Sequence, residues 1–403
     1  MNPGFVYLDN AATSWPKQPV VAATMAQFLA ERAGNPGRGG HALARAAAES
    51  VEEARLALAG LVNAPRPERV VLTHGCTDSI NLAVRGRVEQ LCRCPSDEPP
   101  HVVTTVVEHN AVSRTLHGYA KADLIGLTFV GCDEQGWVDP DEYADACNER
   151  TVLACLSHAS NAIGTIQSVQ EVGERVRERS PDALFLVDAA QTLGHIDVDV
   201  QRLDIDLLAI AGHKGLGGPT GTGALYVGPR AFTDAGESKL FCTRSGGTGM
   251  MAPGLEMPTD LPDALEAGTE NAVGYAGLVA AINSIDPRGH EREMDLAMDA
   301  IERLSRIEGV CVHGRTSREG RTSVVLFSIE GVPAREVGRL LDAEHDVAVR
   351  GGTHCAPLLH QAIGTGEEGA VRASPGPMST PQDIDRLIES VRVIVRSRAG
   401  ARS

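Results

Sequence analysis

Short apolar runs recur along the first half of the chain, each ending in a turn of small or polar residues. Residues 5–8, 69–73, 101–107, 124–130, 151–156, 183–187, 206–211 and 224–227 are of this kind. Continuous apolar runs of this length, bounded by turn signals, predict strands buried on both faces. Between them, helical spacing marks 20–32, 42–62, 76–91 and 169–179. Such strand–helix alternation predicts an α/β fold, with a largely parallel sheet covered by helices on both faces. No internal repeat interrupts it.

Beyond residue 263 the pattern changes. Helices are predicted to about residue 284 and over 290–307, 333–344 and 382–398. Strands are predicted over 310–313, 322–329 and 347–350, with a turn at 351–356. This reads as a smaller α+β unit. At 403 residues the chain exceeds one typical core, and two domains are expected. Residues 15–272 would form the larger, and residues 1–14 with 273–403 the smaller. Two loops stand out. Residues 34–41 are rich in Gly and Pro and carry two basic side chains, Arg38 and His41. Residues 236–263 form a long small-residue stretch, of a length usually kept for function.

Composition narrows the classes. The net charge of −16 argues against a nucleic-acid partner. No apolar run is long enough to span a bilayer, and the first residues lack a signal-peptide pattern, so a cytoplasmic protein is expected. Nine cysteines at irregular spacing suit a reducing compartment better than a disulfide framework. Cys92, Cys94 and His101 faintly resemble a metal set, but their C-x-C spacing in a Pro-rich stretch reads as a loop. No metal is expected.

The chemistry gathers where strands end. Thr77, His109, Asn161, Asp188 and the pair His213-Lys214 each follow an apolar run. In open α/β sheets, ligands bind outside the carboxyl ends of the strands. Lys214, flanked by glycine at the end of a buried run, reads either as a desolvated nucleophile or as a lysine snorkelling at a strand end. A Schiff-base lysine with a strand-end aspartate is the pattern for pyridoxal phosphate (PLP), whose pyridine nitrogen a carboxylate keeps protonated. Gly75-Cys76-Thr77, opening a helix, offers backbone N–H groups and a hydroxyl to a phosphate.

The motifs Tyr7-Leu8-Asp9-Asn10-Ala11-Ala12-Thr13, Glu108-His109-Asn110, Ser160-Asn161 and Val187-Asp188-Ala189-Ala190-Gln191 occur in order along the chain. Gly212-His213-Lys214, Glu266-Ala267-Gly268-Thr269-Glu270-Asn271, Arg350-Gly351-Gly352-Thr353-His354-Cys355-Ala356 and Val371-Arg372-Ala373-Ser374 follow. Together they resemble the class V aminotransferase fold group, and within it the cysteine desulfurase/selenocysteine lyase family with a short cysteine loop. The resemblance implies the PLP-dependent transferase fold type I, with a mostly parallel seven-stranded sheet. It implies Lys214 bound to PLP, Asp188 at the pyridine nitrogen, Gln191 at the ring hydroxyl and His109 stacked on the ring. Cys76, Thr77 and His213 would bind the phosphate. Thr248 would reach the cofactor of a second subunit in a homodimer. Arg372 would grip the carboxylate of an L-cysteine substrate, and Asn161 would touch cofactor or substrate. Cys355 would take sulfur as a persulfide for an acceptor protein, as in iron–sulfur cluster assembly. Arg350 and His354 are expected to supply positive charge beside that thiol. Three places depart from the family pattern: a single histidine precedes Cys355 where two are usual, Ala211 stands where a serine is frequent, and the loop 34–41 is richer in glycine than expected. A selenocysteine lyase, another PLP-dependent C–S or C–N lyase, and a non-catalytic sulfur-delivery scaffold are the competing readings. A nicotinamide-binding protein is disfavoured, since no G-x-G-x-x-G follows the first strand.

Overall fold

The structure is a computed structural model and describes residues 4–37, 39–93, 98–249 and 255–401. Its strands, in chain order, are β1 (Val6–Tyr7), β2 (Val70–Thr73), β3 (His101–Thr105), β4 (Gly126–Val130), β5 (Thr151–Ser157), β6 (Leu184–Asp188) and β7 (Leu207–Ala211). They continue with β8 (Gly223–Val227), β9 (Val310–His313), β10 (Val325–Ile329), β11 (Val347–Ala348), β12 (Arg350–Gly352) and β13 (Ala370–Ala373). Seven of them form the large sheet, in the order β2-β8-β7-β6-β5-β3-β4. Strands β3 to β7 pair in parallel. β8 is antiparallel to both β7 and β2, so β2 points the same way as the parallel strands.

The apolar runs behave as continuous hydrophobic strands should. Successive residues enter opposite faces. Val103, Ala154, Leu156, Phe185, Val187, Leu208 and Ile210 join one core, while Val102, Leu153, Cys155, Leu184, Leu186, Leu207 and Ala209 join the other. Apart from the edge strand β4, neither face meets water, which is why polar alternation is missing from these runs.

A second sheet of four strands, β12-β13-β10-β9, is antiparallel throughout. Val325, Phe327, Ile329, Val371 and Ala373 pack with helices Gly289–Leu304, Ala334–His345 and Pro381–Ala401 in a third core. Val6 and Leu8 belong to the same core, brought there by the parallel pairing of β1 with β11. Leu326 and Ala370, on the opposite face of the small sheet, join the first core and fasten the two layers together. Helix Ala272–Ile282 packs against helices Pro19–Glu31 and Ala42–Leu61, on the side of the large sheet.

Some boundaries differ from the sequence reading. The run at 322–329 becomes a strand only from Val325, because Thr322 N donates to Gly164 O and Arg321 bridges to Thr165. The turn expected at 351–356 begins as strand β12, paired with β13. Three helices went unread: Asn110–Lys121, Pro140–Ala146 and Pro357–Ala362. His101 spends both ring nitrogens on Thr151 Oγ1 and Thr128 Oγ1, each at 2.9 Å. Cys92 is exposed, and Cys94 lies outside the described residues.

Candidate active site

The strands that run in one direction deliver their chemistry to one edge. Thr77, His109, Asn161, Asp188, His213 and Lys214 follow β2, β3, β5, β6 and β7, and all line one cavity of about 690 Å³. Cys76, Gln191, Arg350 and Arg372 line it too. The cradle over β2 depends on a close backbone approach. A Cβ on Gly223 would lie 2.6 Å from Gly75 Cα, so only glycine lets β8 sit against the turn that opens helix Cys76–Cys92. The first N–H groups of that helix lack intrahelical acceptors.

Asp188 is 7 % exposed, and its Oδ1 accepts from Ala190 N (2.9 Å) and from the Cys76 thiol (3.2 Å). Burial pushes the Cys76 thiol well up, and Asp188 pushes it further. Cys76 is therefore a neutral donor to the carboxylate, which leaves its backbone N–H at the helix terminus. Burial lowers the Lys214 amine, and the Asp188 carboxylate opposes that only in part. His213 is pushed down to about 4 by burial, with Lys214 and Lys17 adding to the effect. Its Nδ1 is buried without a partner. His109 Nδ1 accepts from Ala111 N (3.0 Å) and caps helix Asn110–Lys121. In the neutral ring the proton thus sits on Nε2, and burial keeps the ring neutral. Gln191 Nε2 donates to Ala11 O (3.0 Å).

The small sheet supplies the cationic wall. Arg372, on β13, is 1 % exposed, and donates to Asn161 O (2.8 Å) and Asp9 Oδ1 (2.5 Å). Its Nε is buried and unpartnered. Arg350 Nη2 donates to Cys355 Sγ at 3.2 Å. Cys355 does not itself line the cavity and reaches it through Arg350. The expectation that His354 adds positive charge is overturned. His354 is 2 % exposed and pushed down to about 2, chiefly by burial and then by Arg372, so it is neutral. Thr248 lies outside this cavity, in the partly exposed loop after β8. That loop is tied to the cavity by an ion pair of Arg244 with Asp78 at 3.1 Å.

The family model for Aminotransferase class-V matches residues 6–387. The chain belongs to the class V aminotransferase family. The chain is 33% identical over 400 residues to a probable cysteine desulfurase of Pyrococcus abyssi, covering 97% of this chain and 94% of that one. It is 32% identical to the cysteine desulfurase IscS of Dictyoglomus turgidum, covering 96% of each. Among solved structures, the apo cysteine desulfurase of Thermococcus onnurineus superposes with a TM-score of 0.88 at 30% identity, covering 98% of this chain and 95% of that one. The cysteine desulfurase CsdA of Escherichia coli does so with a TM-score of 0.83 at 28% identity, covering 98% of this chain and 96% of that one. The fold is thus that of PLP-dependent transferases of type I.

This family uses PLP, and the cavity fits it. The buried, unpartnered His213 Nδ1 and the open helix terminus at Gly75–Thr77 suit a phosphate. Asp188 suits a protonated pyridine, and the desolvated Lys214 amine suits an aldehyde. Sequence reasoning missed two partners. Asp9, inside a quoted motif, pairs with Arg372. Glu108 is buried and accepts from Thr105 Oγ1 (2.7 Å), Ser157 N (2.9 Å) and Ser157 Oγ (2.8 Å). Burial pushes Glu108 up to about 7.

Proposed function

We propose that this chain is a PLP-dependent cysteine desulfurase that takes sulfur from L-cysteine onto Cys355, leaving L-alanine. The observation that carries this reading is the bond from Arg350 to Cys355 Sγ: one guanidinium lines the Lys214–Asp188 cavity and holds a thiol at its edge. The names of the relatives support it.

In the proposed reaction the bound cofactor supplies an electron sink that loosens bonds at the substrate's α and β carbons. Cys76, Thr77 and His213 would hold its phosphate, Gln191 its hydroxyl and Asp188 its ring nitrogen, and His109 would stack on it. Lys214 Nζ, its basicity lowered by burial, is available as the free amine that takes and returns the α-proton. Arg372 and Asn161 orient the substrate carboxylate. Asp9 offsets part of the Arg372 charge and fixes its plane. Cys355 Sγ attacks the substrate sulfur as thiolate. The S–S bond forms as the C–S bond breaks. The C–S electron pair stays on carbon, which takes a proton and becomes the alanine methyl group. Arg350 lies where it can stabilise the attacking thiolate.

The same proposal includes delivery of the persulfide sulfur to an acceptor protein and a cytoplasmic homodimer in which Thr248 serves the partner subunit's cofactor. Exposed Val20, Leu29, Leu43 and Leu56, on helices Pro19–Glu31 and Ala42–Leu61, support a subunit contact. Among the described residues no helix is long and apolar enough to cross a membrane. We place the domain seam after Ile282 rather than at residue 272, since helix Ala272–Ile282 packs on the large layer. The test is incubation of purified protein with L-cysteine, with alanine, pyruvate and protein persulfide measured. Alanine in step with persulfide on Cys355 supports the reading. Pyruvate with ammonia would replace it with a C–S lyase, and no turnover with a scaffold.

A further inference from the structure

Apart from the cavity of Lys214, one cluster of metal-ligating side chains among the described residues lies in the seam between the two layers. His290 and Glu293 sit three residues apart on helix Gly289–Leu304, so they share one helix face. His195 comes from the turn after β6, in the large layer. One ligand atom from each of the three lies within 4.8 Å of the others, with no ion present. His195 Nδ1 is 3.2 Å from Glu293 Oε2.

Three observations point to a missing partner. Glu293 is 2 % exposed, and its Oε2 has no hydrogen bond: the approach of His195 lies outside hydrogen-bond geometry. His290 Nδ1 is also buried without a partner. A cavity of about 150 Å³ adjoins all three side chains, room enough for water to complete a coordination shell. A polar atom buried without a partner costs about 1–3 kcal/mol, and two of them on members of one ligand cluster call for a common ligand. Two imidazoles and one carboxylate select a borderline transition ion over magnesium or calcium, which prefer all-oxygen shells. Zinc bonds of about 2.0–2.2 Å place ligand atoms roughly 3.5 Å apart, so the cluster needs only a small contraction.

We infer that His195, His290 and Glu293 bind one divalent first-row transition ion of the zinc class, with water in the remaining position, as a clip between the two layers. The clip lies against the back of the Lys214 turn. A Cβ on Gly215 would fall 2.9 Å from His195 Nε2, so the glycine next to Lys214 is what admits the His195 ring. The site shares no lining residue with the 690 Å³ cavity, although His195 and Lys214 both line a smaller neighbouring one, and it stands independently of the desulfurase reading.

The test uses the full-length protein with its PLP, freed of metal by a chelator and titrated with Zn²⁺ while bound metal and thermal midpoint are followed. Uptake of one ion per chain and a rise in midpoint are expected. Glu293→Gln and His290→Ala should each weaken uptake by more than about 100-fold, beyond what loss of a supporting partner costs. Cys355→Ala should bind as the parent does. A Co²⁺ spectrum of the unaltered protein gives a second readout should a variant fail to fold: visible bands without thiolate charge transfer fit the His–His–Glu set. No saturable uptake, uptake that survives Glu293→Gln, or a thiolate-dominated Co²⁺ spectrum would overturn the assignment.

Discussion

The lysine end and the cysteine end of the cavity are built on opposite plans. Asp188 ends strand β6 and Lys214 follows β7, strands whose residues are all buried and packed from both faces. The core sets their positions before any ligand arrives. Cys355 follows a three-residue edge strand and sits in a turn where two successive non-glycine residues adopt the left-handed region, His354 at φ +53° and Cys355 at φ +61°. Such residues cost of order 1–3 kcal/mol each and persist only where surroundings over-determine them. Here polar contacts do so. Asn161 Nδ2 donates to His354 O (2.5 Å), and Asn110 N to Cys355 O (2.7 Å). Both come from the large layer. His354 Nε2 donates to Arg350 O (3.0 Å), which obliges Nδ1 to accept from His360 Nε2 (3.1 Å). The Thr365 hydroxyl, 2.7 Å from His360 Nδ1, completes the chain as donor. The contrast teaches that the electron-sink end is fixed by packing, whereas the nucleophile is fixed by hydrogen bonds reaching across the seam.

The largest effect tests the packed end. Lys214→Ala should lower turnover by at least about 10²–10⁴-fold through lost proton transfer alone, read as alanine formed per minute. Near-normal rates would dissolve the distinction between the two ends. Cys355→Ala should abolish both persulfide and alanine formation while PLP remains bound, since nothing at the packed end changes; loss of the cofactor instead would show the two ends to be one unit. Arg372→Lys should raise KM for cysteine by roughly 10–100-fold, from about 1.5–3 kcal/mol of lost charged hydrogen bonding, with a smaller change in kcat. His360→Leu should cost about 1–3 kcal/mol in thermal or denaturant unfolding by stranding His354 Nδ1, and slow persulfide formation more than PLP binding. An equal effect on both would argue against hydrogen-bonded positioning of the cysteine.

A further effect is one of pH. Glu108, held up to about 7, keeps its proton in the folded protein at pH values where the unfolded chain has released it, from about 4.3 upward. The folded state binds the extra proton across that window, so this group's contribution to stability falls as pH rises through it. Glu108→Gln removes the dependence. The unfolding free energy of the variant should gain on the parent between about pH 5 and about pH 8, by up to about 3 kcal/mol, measured by denaturant titration. A constant difference across that range would place the Glu108 proton elsewhere.

The same contrast explains what could be read in the sequence. Strands β2, β3 and β5 to β8 announce themselves because burial on both faces demands unbroken apolar runs, and the strand ends point to Thr77, His109, Asn161, Asp188 and Lys214. Strands β12 and β13 are short, and carry Gly351, Gly352, Arg350 and Arg372, so hydropathy does not mark them. The turn of Cys355 was visible as a motif, but the left-handed backbone at His354 and Cys355 has no glycine to betray it. Charge beside the thiol was half legible. Arg350 is in contact, while His354 is neutral for a reason that depends on burial, which spacing alone does not reveal. The Asp9–Arg372 pair joins residues from opposite ends of the chain, and no local pattern records it.

The reversed strand β8 also bears on the order in which the molecule assembles. β7 and β8 are joined by the Lys214 turn itself, closed by Gly212 N donating to Thr222 O (3.0 Å). A hairpin of such short sequence separation loses little entropy on closing. The phosphate cradle, by contrast, forms only when β2 docks on β8 from far back in the chain. The lysine's frame is therefore expected to form before the distant pieces condense on it: in folding kinetics, substitutions in this hairpin should slow folding while those at the β2 contact chiefly hasten unfolding.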